Sequence, residues 1–199
     1  LLNNDATVAP ATITRLVAAL EGDSRIGMAT PRVFFHDRPA EVYWDGGTID
    51  WATGLTPHIS KDLPRSGGIL SSEWLNGCCL FVRVATLHDV GLLDERYFLY
   101  YEDAEWTVRA SRRGWLNAVV LNASARHKVS RSTGSKSGPL ASFYLQRNRY
   151  LFLRTHGPLR THSAPRLFYA RTAYGDYRLR EGSRESRRLR RGGFVPGVL

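Results

Sequence analysis

Apolar runs that alternate with stretches of helical periodicity predict an α/β fold, with helices sandwiching a parallel or mixed sheet. Residues 26–29, 31–35, 74–83 and 116–121 are apolar enough to read as buried strands. Around them, apolar residues recur at helical spacing after Thr12, after Asp103 and after Pro139. Each of these helical stretches closes on glycine, at Gly22, Gly114 and Gly157.

Taken in order, Leu1-Leu2 reads as the end of a buried strand that runs into the polar turn Asn3-Asn4-Asp5. Thr12 is placed to cap a short helix whose Ile13, Leu16, Val17 and Leu20 form one apolar stripe. The next apolar run is divided by Pro31, which predicts a pair of strands interrupted by the proline. Residues 36–72 are rich in turn formers and predict a loop or small hairpin excursion, with Tyr43, Trp44 and Trp51 available for packing or ligand contact. A buried strand over 74–83 and a short helix from Val84 to Val90 follow, closed by Gly91. The aromatic run Phe98-Leu99-Tyr100-Tyr101 leads into Glu102-Asp103 and a helix with Asp103, Trp106, Thr107 and Ala110 on one face. An apolar strand from Leu116 to Leu121 runs out into Ala125-Arg126-His127, and residues 130–138 form a polar loop. A long helix from Pro139 to His156 has Leu140, Phe143, Tyr144, Arg147 and Leu151 on one stripe.

The chain has 199 residues, enough for one domain with a real core and an appendage. Its net charge of +10 is uneven: residues 154–199 hold 11 Arg against 3 acids, whereas residues 1–153 hold 17 basic and 15 acidic side chains. A near-neutral body argues against a nucleic-acid-binding core, and the basic tail suits an anionic surface. Cys78 and Cys79 are adjacent, poorly placed for a structural disulfide, and read as small core residues of a reducing compartment. With no further cysteine, a thiolate zinc site is excluded. No stretch is apolar and long enough for a membrane span, and no signal peptide opens the chain.

Glu102 and Asp103 open a helix, where the dipole favours carboxylates, and the aromatic run before them suggests a partly walled site. Such a carboxylate is either ordinary helix decoration or a general base. Asp5, Asp103 and His127 each sit at or just past the end of a separate apolar segment. In an α/β sheet, ligands gather beyond the carboxyl ends of the strands, so the three are placed to converge on one edge. Singly, each reads equally as a turn former or a solvated histidine.

These residues have a familiar order. LLNND, WLNGCCLFVR, VGLLDERYFLYYEDAEWTVRASRRGW, ARHKVSRST and QRNRYLFLRTHG, taken together, resemble the catalytic half of family 2 type nucleotide-sugar glycosyltransferases. The resemblance is to bacterial rhamnosyltransferase-like members with the GT-A fold, and it covers residues 1–157. It implies that Asp103 is the catalytic base, with Glu102 beside it as orienter or acceptor contact. Asp5 matches the last carboxylate of a DxD-like metal motif and His127 the late metal ligand, for Mg²⁺ or Mn²⁺ on the donor diphosphate. The first position of that motif is Asn3, a neutral and poorer ligand, which counts here as a substrate contact. Trp74, Asn76 and Gly77 are candidate walls for acceptor and donor sugar; for Trp74 a core position is an equal alternative. Arg131 and Ser132 are candidates for the diphosphate, against ordinary loop solvation.

The resemblance further implies that the nucleobase contacts belong to an N-terminal βαβ half with no counterpart in these residues, so the chain is expected to be a C-terminal portion. The expected function is inverting, metal-assisted transfer of a sugar from a nucleotide-sugar to a glycan or lipid-linked acceptor, in building cell-surface polysaccharide or glycolipid. A non-catalytic carbohydrate- or membrane-binding module of the same fold is the alternative. The organisation expected is a catalytic part over 1–157 and a basic, aromatic-rich extension over 158–199. The arginines there read either as a solvated charge run or, interleaved with Leu167, Phe168, Tyr169, Tyr174, Tyr177 and Leu179, as an interfacial segment that suits anionic lipid. The expected location is therefore cytoplasmic, at the inner face of the cell membrane.

Overall fold

The computed structural model of the chain describes residues 1–59, 68–128 and 139–158. Arg131, Ser132 and nearly all of the basic extension, with its lipid contact, lie outside the described residues. The chain divides into two compact units. The first holds the sheet: β1 (Ala6–Val8), β2 (Ile26–Phe35), β3 (Val42–Trp44), β4 (Ile69–Ser71), β5 (Phe81–Val82) and β6 (Leu116–His127), with helices α1 (Thr12–Gly22), α2 (Val84–Val90) and α3 (Glu102–Arg112).

The sheet is mixed, as the alternation of elements predicts. Its spine is the parallel pair β2 and β6. Along its outer edge β6 takes β4 opposite residues 118–120 and then β1 opposite residues 125–127, both antiparallel. On its own outer edge β2 takes β5 and then β3, again antiparallel. Alternate residues of β6 face opposite ways. Ala118 and Val120 join Leu16 and Ala19 of α1 in one apolar layer, whereas Asn117 donates from Nδ2 to the Thr107 carbonyl of α3 at 2.9 Å. Helices therefore cover both faces.

Pro31 does not split its strand. β2 runs continuously, and the irregularity falls on its partner: Pro31 pairs with Val120 and Arg32 with Ser124, so residues 121–123 of β6 form a wide bulge. A proline has no N–H to donate, and a break in the ladder beside it removes the need for one. The bulge is satisfied elsewhere. Leu121 donates its N–H to the Gly68 carbonyl at 3.1 Å, and the Asn122 carbonyl accepts from Arg15.

Three further expectations are corrected. Thr12 is the first residue of α1 and makes no cap; its hydroxyl donates to the Ser124 carbonyl at 2.7 Å, which anchors the helix to β6. In that helix Ile13 and Val17 are exposed, and Thr12, Leu16 and Ala19 form the buried face. Leu1 and Leu2 are exposed, with Leu2 in an isolated bridge to Cys79. The largest difference lies at 74–83, where only Phe81–Val82 is strand. Upstream of it the backbone N–H groups are claimed by side chains: Leu75 by Thr107 Oγ1, Gly77 by Asp103 Oδ2 and Cys78 by Asn76 Oδ1. With those donors taken, a ladder cannot form.

Residues 36–72 contain the expected hairpin. Thr48 donates to the Pro57 carbonyl, Asp50 to that of Leu55 and Ile59 to that of Gly46, each at 2.9 Å. At its base Trp44, Ser72 and Trp74 are buried, and Ser72 Oγ accepts from the Gly47 N–H at 2.9 Å.

The second unit includes Trp51–Gly54, Tyr97–Tyr101 and helix α4 (Pro139–His156). The stripe expected on α4 holds in part: Leu151 is buried and Phe143, Tyr144 and Arg147 are half-buried, but Leu140 is exposed, and Ala141, Asn148, Phe152 and His156 extend the buried face. Phe152 stacks on Trp51 at 5.6 Å between ring centres. Tyr100 and Tyr101 adopt φ of 66° and 70°, a left-handed conformation that bulky residues avoid. Their neighbours hold them there: Asn148 Nδ2 donates to the Leu99 and Tyr100 carbonyls, both at 2.7 Å, and Tyr101 Oη donates to the Gly54 carbonyl at 2.8 Å. Among the described residues no helix is long and apolar enough to cross a membrane.

Candidate active site

Two groups of side chains meet on one loop of the first unit. The first forms at the carboxyl ends of β2 and β6. Because β1 runs antiparallel to β6 with Ala6 opposite His127, the residue before Ala6 arrives beside the end of β6. The Lys128 N–H donates to the Asp5 carbonyl at 3.1 Å and fixes that junction. Asp5 Oδ1 then lies 3.0 Å from His127 Nε2, with both side chains mostly buried. His127 Nδ1 is buried and has no hydrogen-bond partner.

The second group stands at the start of α3. Asp103 Oδ2 accepts the Gly77 N–H at 2.9 Å and Oδ1 accepts the Ala104 N–H at 2.7 Å, so both carboxylate oxygens are oriented by backbone. The approach is close: a Cβ at Gly77 would stand 3.2 Å from Asp103 Cβ, so any side chain there would push Asp103 aside by a few tenths of an ångström. The neighbouring Glu102 is raised to about 7 from an ordinary 4.5, first by burial and then by the charge of Asp103. Its Oε2 is buried without a partner.

Residues 76–78 connect the two groups. Asn3 donates its N–H to the Cys78 carbonyl at 2.9 Å, two residues before Asp5, while the adjacent Gly77 holds Asp103. The side chain of Asn76 is spent on the Cys78 N–H, at 2.8 Å. The Cys78 thiol is pushed up to about 12, chiefly by burial, with Cys79 and Asp5 adding charge repulsion, so it is a protonated core group as its setting in the sequence suggests. The loop at 76–78 thus holds Asp103 on one side and the backbone of Asn3 on the other, and Asp5, two residues on, pairs with His127. Trp74 is different: it is 6% exposed, packed edge-on to Trp44 at 5.6 Å, and offers no open face.

One residue at this edge went unnoticed in the sequence. His58, exposed, lies 6.0 Å from Tyr43, whose ring is in turn 5.6 Å from that of His127. A solitary histidine in a turn-rich stretch has no periodicity to mark it. Among the described residues no cluster of three or more His, Cys, Asp or Glu is arranged to hold a metal.

Glu102 sets a stability prediction. A carboxyl raised on folding contributes stability that is complete below its unfolded value of 4.5 and is lost as pH rises through about 7. Glu102→Gln should therefore unfold at higher denaturant than the parent above about pH 7, the two converging below 4.5. Equal denaturation midpoints across that range would show the carboxyl to be solvated.

No family model matches the chain. Over 81 residues it is 40% identical to N-acetylglucosaminyl-diphospho-decaprenol L-rhamnosyltransferase of Mycobacterium tuberculosis, in the CDC 1551 / Oshkosh and the ATCC 25618 / H37Rv strains alike. The match spans 40% of this chain and 26% of each relative's length. Among solved structures the chain is similar to the crystal structure of GalNAc-T7 with UDP, GalNAc and Mn²⁺, at a TM-score of 0.48 and 15% identity, covering 71% of this chain and 30% of that one. Over those 81 residues, then, the chain is homologous to a mycobacterial rhamnosyltransferase.

Proposed function

We propose that this chain is the catalytic, acceptor-side part of an inverting glycosyltransferase of the GT-A type. It would move a sugar from a nucleotide-sugar to a glycan or lipid-linked acceptor. The observation that carries the reading is the loop at Asn76, Gly77 and Cys78, which holds a backbone-oriented Asp103 on one side and is tied to the Asp5 segment on the other. The relatives' name supplies the first substrates to try: an L-rhamnosyl donor and an N-acetylglucosaminyl-diphospho-lipid acceptor. A membrane-bound acceptor also gives the basic tail a purpose at the inner face of the membrane.

Asp103 is the base in this reading. The acceptor hydroxyl gives its proton to the Asp103 carboxylate, its oxygen bonds to C1 of the sugar, and the C1–O bond breaks with its electron pair leaving on the diphosphate. A single displacement inverts C1. Gly77 and Ala104 hold the carboxylate in place through the step, and Glu102, protonated near neutral pH, offers an O–H to an acceptor oxygen.

The residues present suit a divalent ion. Two donors at adjacent corners of an octahedron with bonds of about 2.1 Å stand about 3 Å apart, and Asp5 Oδ1 and His127 Nε2 are separated by 3.0 Å. Diphosphate oxygens and water would complete the set, and a nitrogen ligand moves preference from Mg²⁺ toward Mn²⁺. Such an ion would supply Lewis-acid stabilisation of the charge gathering on the diphosphate.

The test measures transfer and Mn²⁺ binding together. Asp5→Ala and His127→Ala should each weaken Mn²⁺ binding, read by paramagnetic resonance in the presence of a nucleoside diphosphate, by at least about the tenfold to hundredfold that loss of an outer-sphere partner costs, with transfer falling in step. Metal-independent transfer, or unaltered Mn²⁺ binding in both variants, would overturn the assignment.

A further inference from the structure

We propose that Tyr43 and His58 form an aromatic wall that receives a pyranose ring beside the Asp5–His127 pair. This rests on the glycosyltransferase reading above and adds to it the surface that grips the sugar.

The hairpin at residues 46–59 returns His58 alongside Gly47, through an isolated antiparallel bridge. That pairing sets His58 next to β3, whose residues alternate in direction. Trp44 turns into the core at 1% exposure, and Tyr43 turns to the other face, where it remains half-buried. There Tyr43 sits edge-on to Phe35 at 5.2 Å, to His127 at 5.6 Å and to His58 at 6.0 Å. The rings thus form a continuous surface that begins at the Asp5–His127 pair and ends at the exposed imidazole of His58. Trp44 and Trp74 are buried beneath, and His58 rests on Trp74 at 6.2 Å between ring centres while staying exposed. Two accessible rings remaining at the carboxyl ends of the strands are where an α/β sheet collects its ligand.

The chemistry of a pyranose fits such a surface. Its C–H face is apolar and packs on an aromatic face, while its hydroxyls need nearby donors and acceptors. Tyr43 supplies ring surface and His58 both ring surface and an imidazole that can meet a hydroxyl. The ring could belong to the donor or to the acceptor; both present the same chemistry, and the experiment separates them.

Binding is titrated calorimetrically for the parent, taken as the full-length protein with whatever nucleotide-binding segment it carries, and for its His58→Ala, Tyr43→Leu and Tyr43→Phe variants. The probes are a panel of nucleoside diphosphates, the nucleoside-diphosphate sugars made from them, and methyl N-acetylglucosaminide. The KM for donor and acceptor is measured alongside. His58→Ala and Tyr43→Leu should weaken a sugar-bearing ligand about tenfold and leave the nucleoside diphosphates unaltered, with Tyr43→Phe close to the parent. Loss confined to the nucleotide-sugar and its KM assigns the wall to the donor; loss confined to the glycoside and the acceptor KM assigns it to the acceptor. If the parent turns over substrate and both wall variants bind every sugar as tightly as it does, the wall is wrong and the transferase reading stands. If the parent neither binds nor turns over any nucleotide-sugar, the transferase reading fails and the wall falls with it.

Discussion

Asp103→Asn should lower kcat for sugar transfer by about 10³-fold, the scale of a positioned general base, while the protein remains folded. The geometry makes this substitution informative. Asp103 receives two backbone donations, from Gly77 to Oδ2 and from Ala104 to Oδ1. Asparagine offers one acceptor oxygen in place of two, so one N–H loses its partner at a cost of about 1 kcal/mol. A small fall in the melting temperature with near-complete loss of turnover is therefore the expected pair of results, and anomeric NMR of the parent's product should show inversion at C1. Turnover of the variant within tenfold of the parent would remove Asp103 from the chemistry. Retention in the product would require a second nucleophile and reject a single displacement.

The largest effect on stability is expected at Gly47. A Cβ there would fall 1.9 Å from Trp74 Nε1 and 2.3 Å from Cε2. Trp74 has nowhere to retreat, since its indole is buried and packed against Trp44. Overpacking of a core costs about 1–3 kcal/mol when neighbours can adjust, and an overlap of this depth on a pinned ring should exceed 3 kcal/mol by a margin of about 1 or more. Chemical denaturation of Gly47→Ala should show that loss, or no cooperative transition at all. The same substitution disturbs the backbone facing both His58 and Trp74, so any folded fraction should also bind sugar ligands poorly. A variant that unfolds with the parent's midpoint would mean that Trp74 moves more freely than its packing indicates.

Much of this was legible in the chain because glycine and local periodicity mark boundaries without reference to the rest of the fold. The helices ending near Gly91 and Gly114 stop where φ reaches 75° and 92°, values that only glycine adopts readily. The positions of Asp5, Asp103 and His127 suggested one shared edge, but only the family resemblance paired Asp5 with His127, and Asp5 stands before β1 rather than after a buried strand. The loop at 74–80 could not be read this way. Its apolar residues look like a strand, but its N–H groups are taken by Thr107 and Asp103, about 30 residues further on, and no local pattern announces that capture. Pro31 misled for a related reason. Its cost is borne by extra residues in β6, far away in sequence. His58 was invisible because exposed aromatics in a turn-rich segment acquire meaning only from what lies across the hairpin.

The bulge in β6 also bears on how such a site tolerates change. In an unbroken strand, a slip of one residue carries along its whole length and turns every side chain to the opposite face. Here the three residues at 121–123, themselves held by Gly68, Arg15 and the packing of Ala123, separate two stretches with different antiparallel partners, one paired with β4 and the other with β1. A slip or repacking in residues 116–120 would be taken up before it reached His127. A substitution that repacks residues 116–120 should therefore leave the Asp5–His127 pairing in place.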